Sequence, residues 1–150
     1  MPKTFRCTIV SPTEQHLDEE VTYASIPLWD GLMGVLPGRA PIVANLGSGE
    51  LRIDFPDEGS AAGGSRSYFI DGGVCKMGEK GLTLLAQVAI PAECLVVADA
   101  QAELKEAEAR RIDDAGDPES RRIARERRDH EIHAARAKAR LAQARVGKGI

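Results

Sequence analysis

The chain has 150 residues, of which 43% are hydrophobic, 29% are charged and 4% are aromatic, and its formal net charge at pH 7 is −3. This hydrophobic content excludes a disordered chain, and no run approaches the roughly 18 apolar residues that a membrane span requires. The beginning of the chain has no apolar signal segment, so we expect a protein of the reducing cytoplasm. Three scattered cysteines predict neither a disulfide framework nor a zinc site, and we expect Cys75 and Cys94 to be small core residues.

Residues 3–98 are predicted to form short strands separated by turns. Residues 4–10 alternate polar with apolar side chains, the period of a half-buried strand, and residues 21–26 are β-branched and aromatic. Further strand-like runs, mostly bounded by Gly, Pro or Asp, are 42–46, 51–55, 67–70, 73–77, 82–86, 87–90 and 94–98. Many short strands at this spacing predict an antiparallel β-sandwich or barrel, of which the sandwich is our prediction.

Three segments between these strands are predicted to be turns or loops. Gly72-Gly73 and residues 78–81 (Gly-Glu-Lys-Gly) are interpreted as hairpin turns. Residues 56–65, rich in Gly, Ser and Ala, are interpreted as a flexible hairpin loop because they bury too little apolar surface to order themselves.

From Asp99 onward the residues are mostly Ala, Glu, Lys, Arg and Leu, which favour helix. Asp99 is a predicted N-cap, and Gly116-Asp117-Pro118 is predicted to end the first helix and begin a second over 118–146. The apolar positions at helical spacing are Ala100, Leu104, Ala107, Ile112 and Ala115, then Ile132, Ala135, Ala139, Ala142 and Val146. The short connection predicts an antiparallel two-helix hairpin, and therefore two domains, 1–98 and 99–150.

The charge is distributed unevenly along the chain. Residues 1–98 carry a net charge of −5, whereas residues 119–150 carry +6. Arg121, Arg125 and Arg128 fall on one side of the second helix, and this like-charge repulsion indicates an acidic partner, or else a solvated basic surface. Nucleic acid is disfavoured as that partner, because the basic face has no aromatic residues for stacking and the chain as a whole is acidic.

No catalytic constellation stands out in the sequence. It contains neither a phosphate-binding Gly-x-x-x-x-Gly-Lys loop nor a Gly-x-Ser-x-Gly elbow. His130 and His133 have the spacing of a metal pair, but an acidic residue lies four positions before each, which favours exposed ion pairs. His16 is expected in a polar turn. We therefore expect no catalytic residues, no metal and no cofactor.

Residues 34–41 read Gly-Val-Leu-Pro-Gly-Arg-Ala-Pro, in which Pro37-Gly38 predicts a turn of defined shape. The segments on either side are Ile-Pro-Leu-Trp-Asp-Gly-Leu-Met (26–33) and Ile-Val-Ala-Asn-Leu-Gly-Ser-Gly (42–49). Together they resemble the bacterial-type ε subunit of the F-type ATP synthase, which has a Gly-x-x-Pro-Gly-His-Ala-Pro core. Arg39 stands where that family usually has histidine. Residues 11–14, 70–73 and 82–86 and the helical hairpin fit the same order, so the resemblance covers essentially the whole chain.

The resemblance implies a non-catalytic subunit of the rotating central stalk, with a β-sandwich head and a two-helix tail, that couples c-ring rotation to ATP synthesis. It implies the γ subunit and the polar loops of the membrane c-ring as partners. Asp30, Gly31 and Leu32 correspond to the ring-facing loop of the family, and Arg39 corresponds to the position near γ.

The resemblance also implies a regulatory tail. In the family the tail can extend and impede ATP hydrolysis, its basic residues meeting an acidic segment of a catalytic β subunit. The corresponding contacts with the catalytic α/β subunits would involve Arg121, Arg122, Arg125 and Arg128. Some relatives bind ATP through an Ile/Leu-Asp-x-x-Arg-Ala motif, which residues 98–103 (Ala-Asp-Ala-Gln-Ala-Glu) do not match. The implied location is the cytoplasmic face of the bacterial inner membrane, with membrane association only through the complex.

Two other functions are compatible with these residues. One is a stand-alone β-sandwich adaptor whose basic hairpin docks on an acidic protein or membrane surface. The other is a small hydrolase that uses His16 or His130. Co-purification with γ separates the stalk subunit from the adaptor, and the hydrolase requires activity of the isolated chain.

Overall fold

The computed structural model describes residues 3–57, 63–110 and 116–148, with the side chains of the last helix described up to Ala144. The chain forms two compact units, Met1–Ala92 and Glu93–Ile150. We call them the β unit and the helical unit. The division lies six residues before the sequence-based boundary at residue 98, because Leu95 and Val97 pack with the helices.

The described part of the β unit contains eight strands. They are β1 (Phe5–Val10), β2 (Gln15–Val21), β3 (Tyr23–Leu28), β4 (Gly31–Val35), β5 (Ile42–Asn45), β6 (Ser48–Asp54), β7 (Ser65–Gly78) and β8 (Gly81–Pro91). Their order is β2-β1-β8-β7-β6-β3-β4, and β5 pairs with β7. The neighbours are antiparallel except β1 and β8, which are parallel. The predicted β-sandwich followed by a helical hairpin is confirmed.

The core of the β unit follows from the alternation of its strands. In β1 the side chains of Phe5, Cys7 and Ile9 point inward and are buried, while those between them lie toward the surface. The largest fully buried side chains of the core include Ile26, Leu51, Ile53, Ile70, Leu82 and Leu84. Burial of such aliphatic side chains supplies about 1.5–3 kcal/mol each, so this layer holds the surface hairpins in fixed positions.

Strand β7 changes partners halfway along its length. Its first half pairs with β6 and its second half with β5, and the change occurs at Gly72-Gly73. A Cβ atom on Gly73 would lie 2.1 Å from the carbonyl oxygen of Leu85, and its φ is +124°, so only glycine fits. Gly72-Gly73 was predicted as a hairpin turn, which is wrong: the pair bends one continuous strand. The predicted turn at residues 78–81 does join β7 to β8.

Other local predictions require correction. Strands β2 and β4 were not predicted. Asp18, Glu19 and Glu20 of β2 are poor strand formers, and the glycines of β4 resemble turn residues. Residues 94–98 are not a strand, because Ala92–Cys94 forms a 3₁₀ turn and a helix begins at Val97. Cys94 is exposed, in contrast to Cys7 and Cys75, which are buried. Residues 58–62 of the predicted loop lie outside the described residues.

The helical unit contains α1 (Val97–Ala109) and α2 (Pro118–Lys148). Helix α1 begins two residues before the predicted N-cap: Val96 occupies that position without a side-chain hydrogen bond, and Asp99 lies in the first turn. Helix α2 begins as predicted, with Pro118 as its first residue. Asp117 caps it, since its Oδ1 accepts a hydrogen bond from the backbone N–H of Ser120 at 2.7 Å.

The two helices pack along a seam of small side chains. Ala100, Ala139 and Ala142 form its buried centre, with Leu104 packed against it. Ile112, Ala115 and the side chain of Val146, also assigned to this face by the sequence, lie outside the described residues. Alanine buries little apolar area, so the seam contributes less stability per residue than the core of the β unit.

Candidate functional site

The hairpin between β3 and β4 presents large apolar side chains to solvent. Its two-residue turn is Trp29-Asp30, and the register pairs Leu28 with Gly31. Trp29 and Leu32 are each 74% exposed. The turn is anchored on one side, because the backbone N–H of Trp29 donates to the carbonyl oxygen of Asn45 at 3.3 Å. Of the three residues predicted in a ring-facing loop, Asp30 lies in the turn, whereas Gly31 and Leu32 belong to β4.

The Pro37-Gly38 turn places Arg39 beside the same strand. The backbone N–H of Arg39 donates to the carbonyl oxygen of Leu36 at 3.2 Å, and Gly38 takes a positive φ of +83°. The Arg39 side chain is exposed, and its Nη1 donates to the carbonyl oxygen of Gly34 at 3.4 Å. The structure therefore brings the predicted residues Asp30, Leu32 and Arg39 together along one strand, with Asp30 before it and Arg39 at its far end.

Leu36 extends this exposed surface and was not among the predicted site residues. It is 61% exposed and directly follows β4. Exposed large apolar side chains that cluster on a rigid scaffold are typical of protein–protein interfaces. The sequence alone could have indicated this exposure. Leu36 comes directly before the Pro-Gly turn, and neighbouring residues of a strand point to opposite faces, so Leu36 points outward when Val35 points inward. We call Trp29, Asp30, Leu32, Leu36 and Arg39 the β4 surface.

A second group of exposed apolar side chains lies on the outer face of other strands. Register places Asn45 opposite Val74, and Val74 opposite Leu85. Val74 and Leu85 break the usual pattern of polar residues on the solvent side of a strand, and nearby Val43 is also exposed. This group was not predicted from the sequence, because strands were assigned by their inward-facing residues.

The basic residues of α2 differ in their contacts. Arg122 pairs with Glu126 at 3.0 Å and lies 4.0 Å from Glu119. Arg125 is exposed and has no ion-pair partner within the described residues. Arg128 is used inside the hairpin, because its Nε and Nη2 donate to backbone carbonyl oxygens of α1 and its end. Arg121 is half-buried, and its Nε has no hydrogen-bond partner.

Interhelical ion pairs also cross the hairpin. Lys138 Nζ lies 3.0 Å from Glu103, and Arg136 Nη2 lies 3.5 Å from Glu108. Arg110 pairs with Glu131 farther along the same hairpin. The basic surface of α2 is therefore partly neutralised by α1, and Arg121, Arg122 and Arg125 are its members nearest the N-terminal end of α2.

The histidines take part in no metal-holding cluster within the described residues. No group of three or more His, Cys, Asp or Glu side chains capable of holding a metal occurs there. His16 lies in β2 rather than in a polar turn, and its ring packs edge-on against Tyr68. The Nε2 atom of His16 shares a hydrogen bond with Ser11 Oγ at 2.9 Å, while Glu14 lies 4.0 Å from Nδ1. These contacts fix a turn between β1 and β2.

The chain thus combines a β unit, which carries the exposed β4 surface, with a helical unit. Residues 4–92 match the family model described as ATP synthase, Delta/Epsilon chain, beta-sandwich domain. The chain belongs to this ATP synthase delta/epsilon chain family. The matched residues coincide with the described part of the β unit, and the helical unit lies beyond them.

Individual relatives agree with this assignment. The ATP synthase epsilon chain of Rhodopirellula baltica is 35% identical over 104 residues, which cover 69% of this chain and 77% of the relative. That of Rhodopseudomonas palustris strain BisB5 is 35% identical over 127 residues, covering 85% and 88%. A chain in the mitochondrial ATP synthase of Euglena gracilis (OSCP/F1/c-ring, rotational state 1) is similar in fold. It superposes with a TM-score of 0.73 at 22% identity over 97% of this chain and 83% of that one.

The helices give no sign of a membrane segment. Within the described ranges, neither α1 nor α2 offers a stretch of enough length and apolarity to cross a bilayer.

Proposed function

We propose that the chain is the non-catalytic ε-type subunit of the central stalk of an F-type ATP synthase, coupling c-ring rotation to the catalytic head. The observation that carries this proposal is the family match over residues 4–92, the unit that bears the β4 surface. Its partners are the γ subunit and the polar loops of the c-ring. The complex holds it at the cytoplasmic face of the bacterial inner membrane.

The β4 surface is the proposed stalk contact. Its central residues are Asp30, Leu32 and Arg39, the adjacent Gly31 is included in the proposed contact, and Trp29 and Leu36 enlarge the apolar area. Interface energy usually concentrates in a few large side chains surrounded by polar ones, which fits Trp29 and Leu32 beside Asp30 and Arg39. The rigid turn on each side of β4 keeps these side chains in place, so that binding orders little of the chain.

The helical unit is the proposed regulatory element. Its contact with the catalytic α/β subunits involves Arg121, Arg122 and Arg125, which retain exposed or unpaired groups. Arg128, the fourth basic residue assigned to this contact, joins it only when its bonds to α1 are broken. In this proposal the tail restrains ATP hydrolysis in its open form, and the interhelical ion pairs favour the closed form.

The stalk assignment is tested by assembly. The double variant Leu32→Asp with Arg39→Glu puts two negative charges on the β4 surface, and binding of γ would have to strip the water from both. We therefore expect this variant not to co-purify with γ. The matched control is Ile123→Asp with Arg127→Glu, the same changes at exposed positions of α2. Far-UV circular dichroism of both variants should match wild type. Normal assembly of the first variant with γ would contradict the assignment of this surface.

A further inference from the structure

Strand β4 has a free edge with defined backbone geometry. It is the last strand in the sheet order, and the described residues place no strand on its outer side. The register pairs Pro27 of β3 with Leu32 of β4. Pro27 has no N–H, so this pair cannot exchange two backbone hydrogen bonds and is of the non-hydrogen-bonded type. The N–H and C=O groups of Leu32, and of Gly34 two residues on, therefore point away from β3.

This edge lacks the features that normally prevent strand pairing. Its sequence, Gly-Leu-Met-Gly-Val, contains no charge and no proline, and the exposed side chain of Leu32 adds apolar surface. The strand at the other end of the sheet order, β2, carries Asp18, Glu19 and Glu20. One edge of the sheet is thus protected by charge, and the other is open to a pairing partner.

Arg39 covers part of the free edge. Its Nη1 reaches the carbonyl oxygen of Gly34 at 3.4 Å, near the upper limit for a hydrogen bond, and the side chain is exposed. The bond is weak and easily exchanged. The other outward groups, the N–H and C=O of Leu32 and the N–H of Gly34, have no hydrogen-bond partner within the described part of the chain.

We propose that the outer edge of β4 is a strand-addition site that receives an extended backbone segment of the γ subunit. This inference rests on the proposed function and specifies how the β4 surface binds. The residues assigned to the γ and c-ring contact, Asp30 and Arg39, flank the edge at its two ends. Main-chain hydrogen bonds to Leu32 and Gly34 supply the affinity, and the pocket beside Gly34 and Leu36 supplies specificity for a side chain of the added strand.

Amide hydrogen exchange of the full chain, free and bound to γ, tests the proposal directly. Leu32 and Gly34 should exchange fast in the free chain and at least about tenfold more slowly in the complex. Met33 and Val35 are the internal control, because their N–H groups face β3 and should be protected in both states. A complex in which Leu32 and Gly34 exchange as fast as in the free chain would overturn strand addition.

Two variants separate backbone from side-chain contributions. Leu32→Pro removes an outward N–H, which an edge strand tolerates, whereas Leu32→Thr changes the side chain and keeps the N–H. We expect Leu32→Pro to weaken γ binding at least about tenfold more than Leu32→Thr. Protection of Met33 and Val35 in the free Leu32→Pro variant shows that β4 still pairs with β3. Equal losses in both variants would overturn the proposal.

Other occupants give different results. Concentration-dependent protection of Leu32 and Gly34 without γ would show that a second copy of the chain pairs at this edge, which contradicts γ as the occupant. Failure of the wild-type chain to bind γ would overturn the proposed function together with this inference. Binding without protection would overturn strand addition alone.

Discussion

Arg128 Nε donates a hydrogen bond to the backbone carbonyl oxygen of Arg110 at 2.8 Å. The Nη2 of the same guanidinium donates to the carbonyl oxygen of Glu108 at 2.9 Å. Helix α1 ends at Ala109, so these oxygens belong to the last carbonyls that a helix leaves without partners. A residue of α2 thus caps the C-terminal end of α1, and an arginine assigned by sequence to a partner subunit is part of the hairpin.

We predict that Arg128→Gln loosens the end of α1. The substitution removes the guanidinium, and the half-exposed position limits the cost to about 1 kcal/mol. Amide exchange near the C-terminal end of α1 should accelerate, while exchange in the β unit stays unchanged. Arg127→Gln, one position away and exposed, is the control and should leave α1 unaffected. Equal exchange in both variants would show that Arg128 does not cap the helix.

The Asp117 cap should make α2 sensitive to acid. Hydrogen bonds from the Ser120 hydroxyl and backbone N–H lower the pKa of Asp117 from its ordinary value of 3.8. A folded-state pKa below the unfolded value means that the carboxylate stabilises the helix above the unfolded pKa, and that this contribution is lost as the pH falls through the lowered folded value.

Asp117→Asn retains a capping side chain that does not titrate. We therefore expect the helical unit of this variant to melt close to wild type at pH 7, and to lose less thermal stability than wild type between pH 5 and pH 2. Thermal melts followed at 222 nm measure the difference. If the melting temperatures of the two proteins fell equally with pH, the ionisation of Asp117 would not be coupled to folding of the helical unit.

Gly73→Ala should destabilise the β unit by at least about 2 kcal/mol, because the new Cβ would approach the Leu85 carbonyl oxygen in a positive-φ conformation. Gly78→Ala is the matched control: a Cβ there meets no atom within 4 Å, so its effect should stay within about 0.5 kcal/mol. Urea unfolding of both variants measures the difference. Equal urea midpoints for the two variants would contradict the prediction and would mean that the backbone of β7 shifts to make room for the alanine.

Charge reversal at the free basic residues tests the regulatory proposal. Arg121→Glu with Arg125→Glu should raise ATP hydrolysis by the reconstituted complex, while assembly with γ is unchanged. Exposed ion pairs contribute only about 0–1 kcal/mol each, so single Arg→Ala changes should have small effects, and inhibition should weaken with salt. Arg127→Glu with Arg140→Glu, the same charge change at two exposed positions farther along α2, is the control. Unchanged hydrolysis in the first variant would identify the basic face as a solvated surface.

Residues 1–98 should fold without the helical unit, because nearly all bulky apolar residues lie in the β unit. The truncated chain should unfold cooperatively and still bind γ. Near-UV circular dichroism and a γ binding titration check this prediction. A molten truncated chain, or one without affinity for γ, would contradict the independence of the two domains.

Local patterns in the sequence predicted much of the fold. The alternation around Cys7 and Ile9 identified β1, and Pro118 identified the start of α2, since both signals are local. The continuity of β7 through Gly72-Gly73 could not be predicted, because the glycines fit the close approach of Leu85, a residue far along the chain.

In the candidate site, too, local features were predictable from the sequence and features that depend on strand or helix packing were not. The Pro-Gly turn at residues 37–38 and the apolar side chains beside it were visible in the sequence. The pairing of Pro27 with Leu32, which directs the backbone of β4 outward, depends on strand register. The cap that Arg128 forms depends on how two helices pack, and composition alone assigned that arginine to a basic surface.

The parallel pairing of β1 with β8 has a consequence for biosynthesis. Cys7, near the start of the chain, lies opposite Leu82. A ribosome releases β1 long before β8, so the nascent β1 can pair with β2 but has no neighbour on its other side. The sheet closes only when β8 emerges, and such distant pairings form slowly. During this interval the inward-facing side chains of β1 are available to chaperones. The helical unit emerges afterwards, when the β unit can already have closed.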